Sequence, residues 1–179
     1  MKIGILVGSL RQASFNRKIA MALMQLAPAS LDMGIIEIGQ LPFYNQDDEA
    51  TPPKAWTDFR QQLKHLDGFI IVTPEYNRSV PAVLKNAIDV GSRPYGQSLW
   101  NNKPCAIVSS SIGALGGFGA NHHLRQSLVC LNAPCMHQPE AYLSHVDTLF
   151  DEQGHLINDN TRTFFSQFME AFAKWVKAV

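Results

Sequence analysis

Short, continuous apolar runs alternate along this chain with segments whose apolar residues recur at helical spacing. Continuous runs lie within residues 3–7, 69–73 and 105–108, whereas the one at 35–38 is interrupted by Glu37 and a less regular one falls within 134–146. Unbroken apolar runs of this length are typical of strands buried on both faces of a parallel sheet. The pattern therefore predicts five strands.

The intervening segments place apolar side chains three or four residues apart, the spacing of one helix face. These positions are Phe15, Ile19, Ala22, Leu23 and Leu26, then Trp56, Phe59, Leu63 and Leu66, then Val80, Val83, Leu84, Ala87 and Ile88, then Leu124, Leu128 and Leu131, and finally Phe165, Phe168, Met169, Phe172 and Trp175. Ser14 and Ser79 are expected to cap the first and third helices, and Gly91 is expected to end the third. Five helices are predicted.

Strands that alternate with amphipathic helices form right-handed crossover units, which produce a parallel sheet covered by helices on both faces. Five strands in this α/β arrangement fit a flavodoxin-like three-layer sandwich with strand order 2-1-3-4-5. Ligands of such sheets bind beyond the carboxyl ends of the strands, near the switch point between the first and third. The loops after Val7, Val72 and Val108 are therefore the informative ones.

Length and charge exclude several classes of protein. A chain of 179 residues fits one domain, 1–179, without a linker that would split it. The 15 basic and 15 acidic residues give a formal net charge of zero, which argues against general binding of nucleic acid or an anionic membrane surface. No apolar run approaches the ~20 residues that span a bilayer, and the first strand lacks the features of a signal peptide.

The cysteines indicate a reducing compartment. There are three of them (Cys105, Cys130 and Cys135), an odd number without CxxC spacing, which favours a cytoplasmic protein with free thiols. Each is interpreted as a small buried apolar residue. The six histidines show no zinc-ligand spacing with the cysteines, so no metal site is predicted.

The loop after the first strand, residues 8–16, joins a buried strand to a helix start. A helix N-terminus offers free N–H groups and a partial positive charge that suit a phosphate group, and Arg11 can add charge-assisted hydrogen bonds. The first 31 residues contain four basic residues and no acid. Neither a Walker loop nor a GxGxxG turn is present. A phosphate site and a simple capped helix with a solvated arginine both remain open.

The loops after the third and fourth strands are also distinctive. Residues 73–81 combine two prolines with Tyr76 and Asn77, which can present an aromatic face and an amide to a planar ligand, although a surface turn is the alternative. Residues 109–119 hold four glycines in eleven positions, which permits close backbone approach to a flat ligand or simply a mobile loop. No serine there has the GxSxG context of a hydrolase.

Taken together, these segments resemble the NADPH-dependent FMN reductase family, whose flavodoxin-like members include quinone reductases and azoreductases. The matching residues are Gly8-Ser9-Leu10-Arg11 with Ser14 and Asn16, Pro74-Glu75-Tyr76-Asn77 with Ser79 and Pro81, Leu84-Lys85-Asn86-Ala87-Ile88-Asp89, and Ser111 with Gly113, Gly116 and Gly117. The resemblance covers most of the chain and is weakest around 40–55 and 138–160. Arg78 and Val90 depart from the residues common in the family.

The resemblance implies noncovalently bound FMN. The implied phosphate site is Ser9, Leu10, Arg11, Gln12, Ala13, Ser14, Phe15 and Asn16. The residues implied along the isoalloxazine ring are Pro74, Glu75, Tyr76, Asn77 and Arg78, with Ser111 and Gly113 on the other side. No acid–base catalytic side chain is implied.

The implied activity is transfer of a hydride from NADPH or NADH through FMN to a quinone-like acceptor, at one shared site and with ping-pong kinetics. The alternatives are a reductase that releases reduced FMN to a partner, a flavodoxin-like electron carrier, and a flavin-free binding module. Zero net charge disfavours the carrier, since flavodoxins tend to be acidic. A homodimer or homotetramer is expected by the same resemblance.

Overall fold

The computed structural model describes residues 1–179 and contains five strands and five α-helices. The strands are β1 (Lys2–Val7), β2 (Asp32–Ile36), β3 (Gly68–Pro74), β4 (Cys105–Ser110) and β5 (Ala141–Leu143). The helices are α1 (Phe15–Leu26), α2 (Lys54–Lys64), α3 (Ala82–Ser92), α4 (Phe118–Cys130) and α5 (Asp159–Ala178). Short 3-10 helices cover Gln46–Ala50 and Val146–Thr148.

The strands form one parallel sheet in the order β2-β1-β3-β4-β5, which confirms the predicted flavodoxin-like arrangement. At the centre of the sheet, Ile5 of β1 lies opposite Ile35 on one side and Ile70 on the other. The chain reverses its direction of travel across the sheet between β2 and β3. The carboxyl ends of β1 and β3 are therefore neighbours from which the following loops diverge.

Two apolar cores lie on the two faces of the sheet because successive strand residues point to opposite faces. Ile5, Ile70 and Val108 pack on one face with α1 and α5. Leu6 and Ile107 pack on the other face with α2, α3 and α4. Both faces are covered, which explains the unbroken apolar runs at residues 3–7, 69–72 and 105–108 within the central strands.

Two local expectations about the strands and helices are wrong in detail. The second strand runs from Asp32 to Ile36 rather than over 35–38, because it is an edge strand whose residues alternate between exposed and half-buried before Ile36. Gly91 lies inside α3 rather than ending it, and a Cβ there would lie 2.5 Å from the Trp100 ring. The glycine is required by this close approach, and the helix continues to Ser92.

Ser79 does not cap α3. The residue before that helix is Pro81, and no side chain caps its first turn. The Ser79 hydroxyl is instead hydrogen-bonded to His123 Nδ1 at 2.9 Å. By contrast, Ser14 caps α1 as predicted, since its Oγ accepts a hydrogen bond from the backbone N–H of Arg17. None of the helices combines the length and apolar character required to cross a membrane.

Candidate functional site

The loops that follow β1, β3 and β4 meet in one cleft at the carboxyl edge of the sheet. Eight of the fifteen residues predicted for the site line this cleft: Ser9, Arg11, Phe15, Asn16, Pro74, Glu75, Tyr76 and Ser111. The other seven belong to the same three loops but do not line it: Leu10, Gln12, Ala13, Ser14, Asn77, Arg78 and Gly113. The fold thus brings together three segments that are about 65 and 35 residues apart in sequence.

Three further residues line the cleft that the sequence reasoning did not name: Ser110, Ile112 and Val146. Ser110 and Ile112 flank Ser111, so their position after the fourth apolar run was a usable signal. Val146 begins the short 3-10 helix that follows β5, and no sequence pattern pointed to it.

The loop after β1 is rich in unused hydrogen-bond donors. None of the backbone N–H groups from Ser9 to Asn16 donates a hydrogen bond to another atom of the chain. These groups surround the N-terminus of α1, whose first turn contains no acidic side chain. Free N–H groups at the positive end of a helix are a strong anion site. The local geometry therefore favours a phosphate-sized anion here.

Arg11 is the one basic side chain of the first unit that is free to act in this cleft. It is exposed and forms neither an ion pair nor a hydrogen bond within the chain. Arg17 instead forms an ion pair at 2.7 Å with Glu37, the residue that follows β2. The Lys18 ammonium lies over the rings of Phe15 and Phe150. Of the four basic residues in the first 31, Arg11 is therefore the one whose side chain is free to bind an anion in the cleft.

Asn16 links two walls of the cleft. Its Oδ1 accepts a hydrogen bond from the Ser110 hydroxyl at 3.1 Å, and both side chains are buried. This contact ties the first turn of α1 to the carboxyl end of β4. The Asn16 amide nitrogen makes no hydrogen bond within the chain, so it remains a donor toward the cleft.

The loop after β3 closes on itself. Tyr76 and Ser79 exchange two backbone hydrogen bonds, at 3.0 and 2.9 Å, around a turn whose central residues both have positive φ. Asn77 has a φ of 51° and Arg78 a φ of 65°. Two consecutive left-handed residues define a type I′ turn, for which asparagine is well suited and arginine is not. Tyr76 is about half exposed beside this turn.

Helix α4 holds the same turn in place through two contacts. The Glu75 carboxylate accepts a hydrogen bond from the backbone N–H of Ala120 at 3.2 Å and another from Arg78 Nη1 at 3.2 Å. The Ser79–His123 contact lies one helical turn further along α4. Gly119 permits this approach, since a Cβ there would lie 2.8 Å from the carbonyl oxygen of Arg78. Glu75 therefore fixes the turn, and its charge is compensated by the helix N-terminus and Arg78.

The glycine-rich loop after β4 is also ordered by hydrogen bonds. The Ser111 backbone N–H donates to the Leu143 carbonyl at 3.0 Å, and its hydroxyl donates to the Gly113 carbonyl at 3.0 Å. Gly117 has a φ of 75°, and a Cβ there would lie 3.0 Å from the Ser109 side chain. The loop thus folds back over the end of the sheet and brings Ser111 to the cleft.

The cleft combines an anion cradle with two preformed walls. The cradle is the run of free N–H groups with Arg11, and the walls are the turn after β3 and the loop after β4. No histidine or cysteine lines the cleft, and its one carboxylate, Glu75, is engaged by helix α4. These residues suit a phosphorylated flat ligand that performs the chemistry itself.

Comparison with known proteins agrees with this geometry. The sequence profile of the NADPH-dependent FMN reductase family matches residues 1–148, which include all three cleft loops. A quinone reductase from Pseudomonas putida is 59% identical over 176 residues, covering 98% of this chain and 94% of the relative. A 2-hydroxy-1,4-benzoquinone reductase from a Burkholderia species is 45% identical, covering 99% of this chain and 97% of the relative.

A solved structure has the same fold and superposes closely on this chain. FerB, a flavoenzyme NAD(P)H:(acceptor) oxidoreductase from Paracoccus denitrificans, superposes with a TM-score of 0.93 at 36% identity. The alignment covers 99% of this chain and 97% of that structure.

Proposed function

The chain belongs to the NADPH-dependent FMN reductase family, and on that premise we propose that it is an FMN-dependent NAD(P)H oxidoreductase that reduces quinones. The quinone acceptor is supported by the names of the Pseudomonas and Burkholderia relatives, which align with nearly the whole chain. The single structural observation that carries the proposal is the row of unpaired N–H groups from Ser9 to Asn16.

The residues of this chain would hold FMN by its two ends. Arg11, Ser9, the Asn16 amide and the free backbone donors from Leu10 to Phe15, including those of Gln12, Ala13 and Ser14, would bind the phosphate. Pro74, Glu75, Tyr76, Asn77 and Arg78 would border the isoalloxazine ring, with Ser111 and Gly113 opposite. The Ser14 hydroxyl caps α1 and so contributes mainly by ordering the cradle.

FMN, when bound, supplies the hydride chemistry between NAD(P)H and the acceptor. The protein's part is to orient that group and leave one face open. The turn after β3 is held by hydrogen bonds within itself and to α4, and Tyr76 is exposed beside it, so a planar co-substrate can stack at the cleft mouth. The cleft is one site, so NAD(P)H and quinone would occupy it in turn, as ping-pong kinetics require.

The decisive experiment is reconstitution followed by steady-state kinetics. Purified protein loaded with FMN should show absorbance bands at about 370 and 450 nm that bleach on addition of NADPH. Rates measured over a grid of NADPH and benzoquinone concentrations should give parallel double-reciprocal lines. Intersecting lines would contradict the single shared site. Bleaching without quinone turnover would instead indicate an electron carrier, and loss of FMN on reduction would indicate a reductase that releases its flavin.

A homodimer or homotetramer is part of this proposal. Several large apolar side chains are exposed around the cleft, among them Leu10, Tyr76, Ile112, Leu115 and Phe118. Exposed apolar groups clustered at a cleft are typical of subunit or ligand contacts. Light scattering on the FMN-loaded protein should therefore give two or four times 19.9 kDa, and a monomer would contradict it. A cytoplasmic location is proposed on the free cysteines alone, and localisation of a tagged chain would test it.

A further inference from the structure

Two cysteines meet at the end of the sheet opposite to the cleft. Cys105 is the first residue of β4, and Cys135 lies beside it in an isolated parallel bridge. The bridge is closed by the Cys105 N–H donating to the Pro134 carbonyl at 2.9 Å and the Met136 N–H donating to the Cys105 carbonyl at 2.7 Å. Paired backbones of this kind lie about 4.8 Å apart. That separation falls within the range that a disulfide spans.

The two thiols have opposite environments. Cys105 is fully buried, and this burial raises the pKa of its thiol. Cys135 lines an open groove, where the neighbouring Cys105 thiol and the charge of Arg125 lower the pKa of its own thiol. Of the two thiols, Cys135 is therefore the one whose thiolate is favoured, and the thiolate is the reactive form of a cysteine.

Arg125 is fixed next to the Cys135 sulfur. Its Nη1 lies 3.6 Å from Cys135 Sγ and also donates to the Met136 carbonyl at 3.2 Å, while its Nε donates to Asn121 Oδ1 at 3.0 Å. The Glu140 carboxylate, 3.9 Å from Nη2, offsets part of the positive charge. His137 and the C-terminal Val179 also line the groove. The guanidinium is thus held by three anchors in a position to stabilise a thiolate.

Cys130 provides a contrast within the same chain. It is exposed at the end of α4, and it has neither an arginine nor a second thiol as a hydrogen-bond partner. Helix carbonyls at that end favour positive rather than negative charge. Exposure alone therefore ranks Cys130 above Cys135 in reactivity, whereas the local chemistry reverses that order.

We propose that Cys135 is a modification site for hydroperoxides and that Cys105 is the thiol that resolves it. The Cys135 sulfur attacks the peroxide O–O bond, forming a sulfenic acid and releasing an alcohol or water. The Cys105 sulfur then attacks the Cys135 sulfur, its proton leaves with the hydroxyl as water, and a disulfide forms. The peroxide is reduced by two electrons and the dithiol is oxidised by two. A transient disulfide of this kind is compatible with a reducing compartment.

The experiment uses the full chain loaded with FMN, free of reductant and of NAD(P)H. A few equivalents of hydrogen peroxide should remove two hydrogens from the intact mass, and dithiothreitol should restore them. Peptide mapping should place the crosslink between Cys105 and Cys135. Cys130→Ser should behave like the native chain, and Cys135→Ser should abolish the mass loss.

A second variant keeps the test independent of disulfide geometry. Cys105→Ala should stop the reaction at the sulfenic acid, which dimedone labels at Cys135. Alkylation by iodoacetamide should then be compared in the native chain, where Cys135 should react at least about tenfold faster than Cys130 at pH 7. A faster Cys130, or dimedone labelling confined to Cys130, would overturn the proposal. So would a peroxide-treated native chain whose mass is unchanged.

Discussion

The loops after β1 and β3 flank the same cleft but are built in opposite ways. In the first loop, no backbone N–H from Ser9 to Asn16 is used within the chain. In the second, Tyr76 and Ser79 close a reciprocal pair of hydrogen bonds, and α4 fixes Glu75 and Ser79 from behind. The first loop therefore has backbone donors free to bind an acceptor, whereas in the second the backbone groups of Tyr76 and Ser79 are already hydrogen-bonded within the chain.

This difference separates affinity from orientation. Donors that are free before binding contribute fully when an anion arrives, because no internal hydrogen bond must be broken. A wall that is rigid before binding loses little entropy when a flat ligand packs against it. Substitutions in the loop after β1 should therefore alter the affinity for FMN through its phosphate group. Substitutions around the loop after β3 should alter folding stability and the fit of the flavin ring.

The largest effect is expected for Arg11→Ala. The variant loses a charge-assisted hydrogen bond to phosphate, which should weaken FMN binding by about 1.5–3 kcal/mol. Riboflavin has the same ring and no phosphate, so its affinity should be unchanged. Quenching of flavin fluorescence during titration measures both constants. An equal loss for the two flavins would show that Arg11 contacts the ring region and not the phosphate.

The next effect is expected for Gly119→Ala, which tests the wall. The new Cβ would lie 2.8 Å from the Arg78 carbonyl oxygen and 2.9 Å from Glu75 Oε2, forcing the turn away from α4. Overpacking of this kind costs about 1–3 kcal/mol of folding stability. Urea denaturation measures the loss, and KM for the quinone should rise with it.

Gly34→Ala is the matched control for that substitution. Nothing lies within 4 Å of a Cβ at Gly34, which is on the edge strand β2. The same chemical change should leave the stability within about 0.5 kcal/mol of the native chain. If the two variants unfold alike, the close packing of α4 on the turn does not contribute to stability.

Much of the architecture was predictable because the central strands β1, β3 and β4 are buried on both faces and therefore each contain an unbroken apolar run. These three runs, the weaker patterns at 35–38 and 134–146 and the spacing of the helices led to the predicted strand order 2-1-3-4-5, which is confirmed. The first half of β2 was missed because an edge strand needs no apolar residue where it is exposed. The roles of Gly91 and Ser79 were mistaken because Trp100 and His123, their partners, are distant enough in sequence that local rules do not include them.

The position of the candidate cleft was predictable at the level of loops, and the side chains that line it were less so. Parallel topology alone places the three loops together, so every predicted residue lies in or beside the cleft region. Which side chains face inward depends on contacts such as Ser110 with Asn16, which joins residues 94 positions apart. The N–H groups from Ser9 to Asn16 have no partner only because of how the chain folds, and the residue types alone do not predict this.

A smaller effect is expected for Ser14→Ala, which separates the role of Ser14 in capping α1 from its role in the anion-binding loop after β1. Loss of an N-cap costs about 1 kcal/mol of folding stability. Asn158→Ala at the start of α5 removes an equivalent cap, in which Asn158 Oδ1 accepts from the Thr161 N–H at 2.9 Å. Both variants should lose similar stability in urea. Only Ser14→Ala should also weaken FMN binding, since α1 begins at the cleft and α5 does not.

The smallest effect is expected for Arg17→Ala, which tests whether the first unit acts through its net charge or through geometry. Arg17 is six residues from Arg11 and carries the same charge, but its guanidinium is engaged by Glu37 at 2.7 Å, with the two side chains 49% and 65% exposed. An exposed pair of this kind contributes about 0.5 kcal/mol or less. At 0.15 M salt, exposed charges more than about 8 Å apart are largely screened from one another. FMN affinity should therefore change less than about twofold, by the same titration used for Arg11→Ala. A loss as large as that of Arg11→Ala would mean that the phosphate responds to the basic first unit as a whole, and the donor cradle would no longer be the distinguishing feature of the loop after β1.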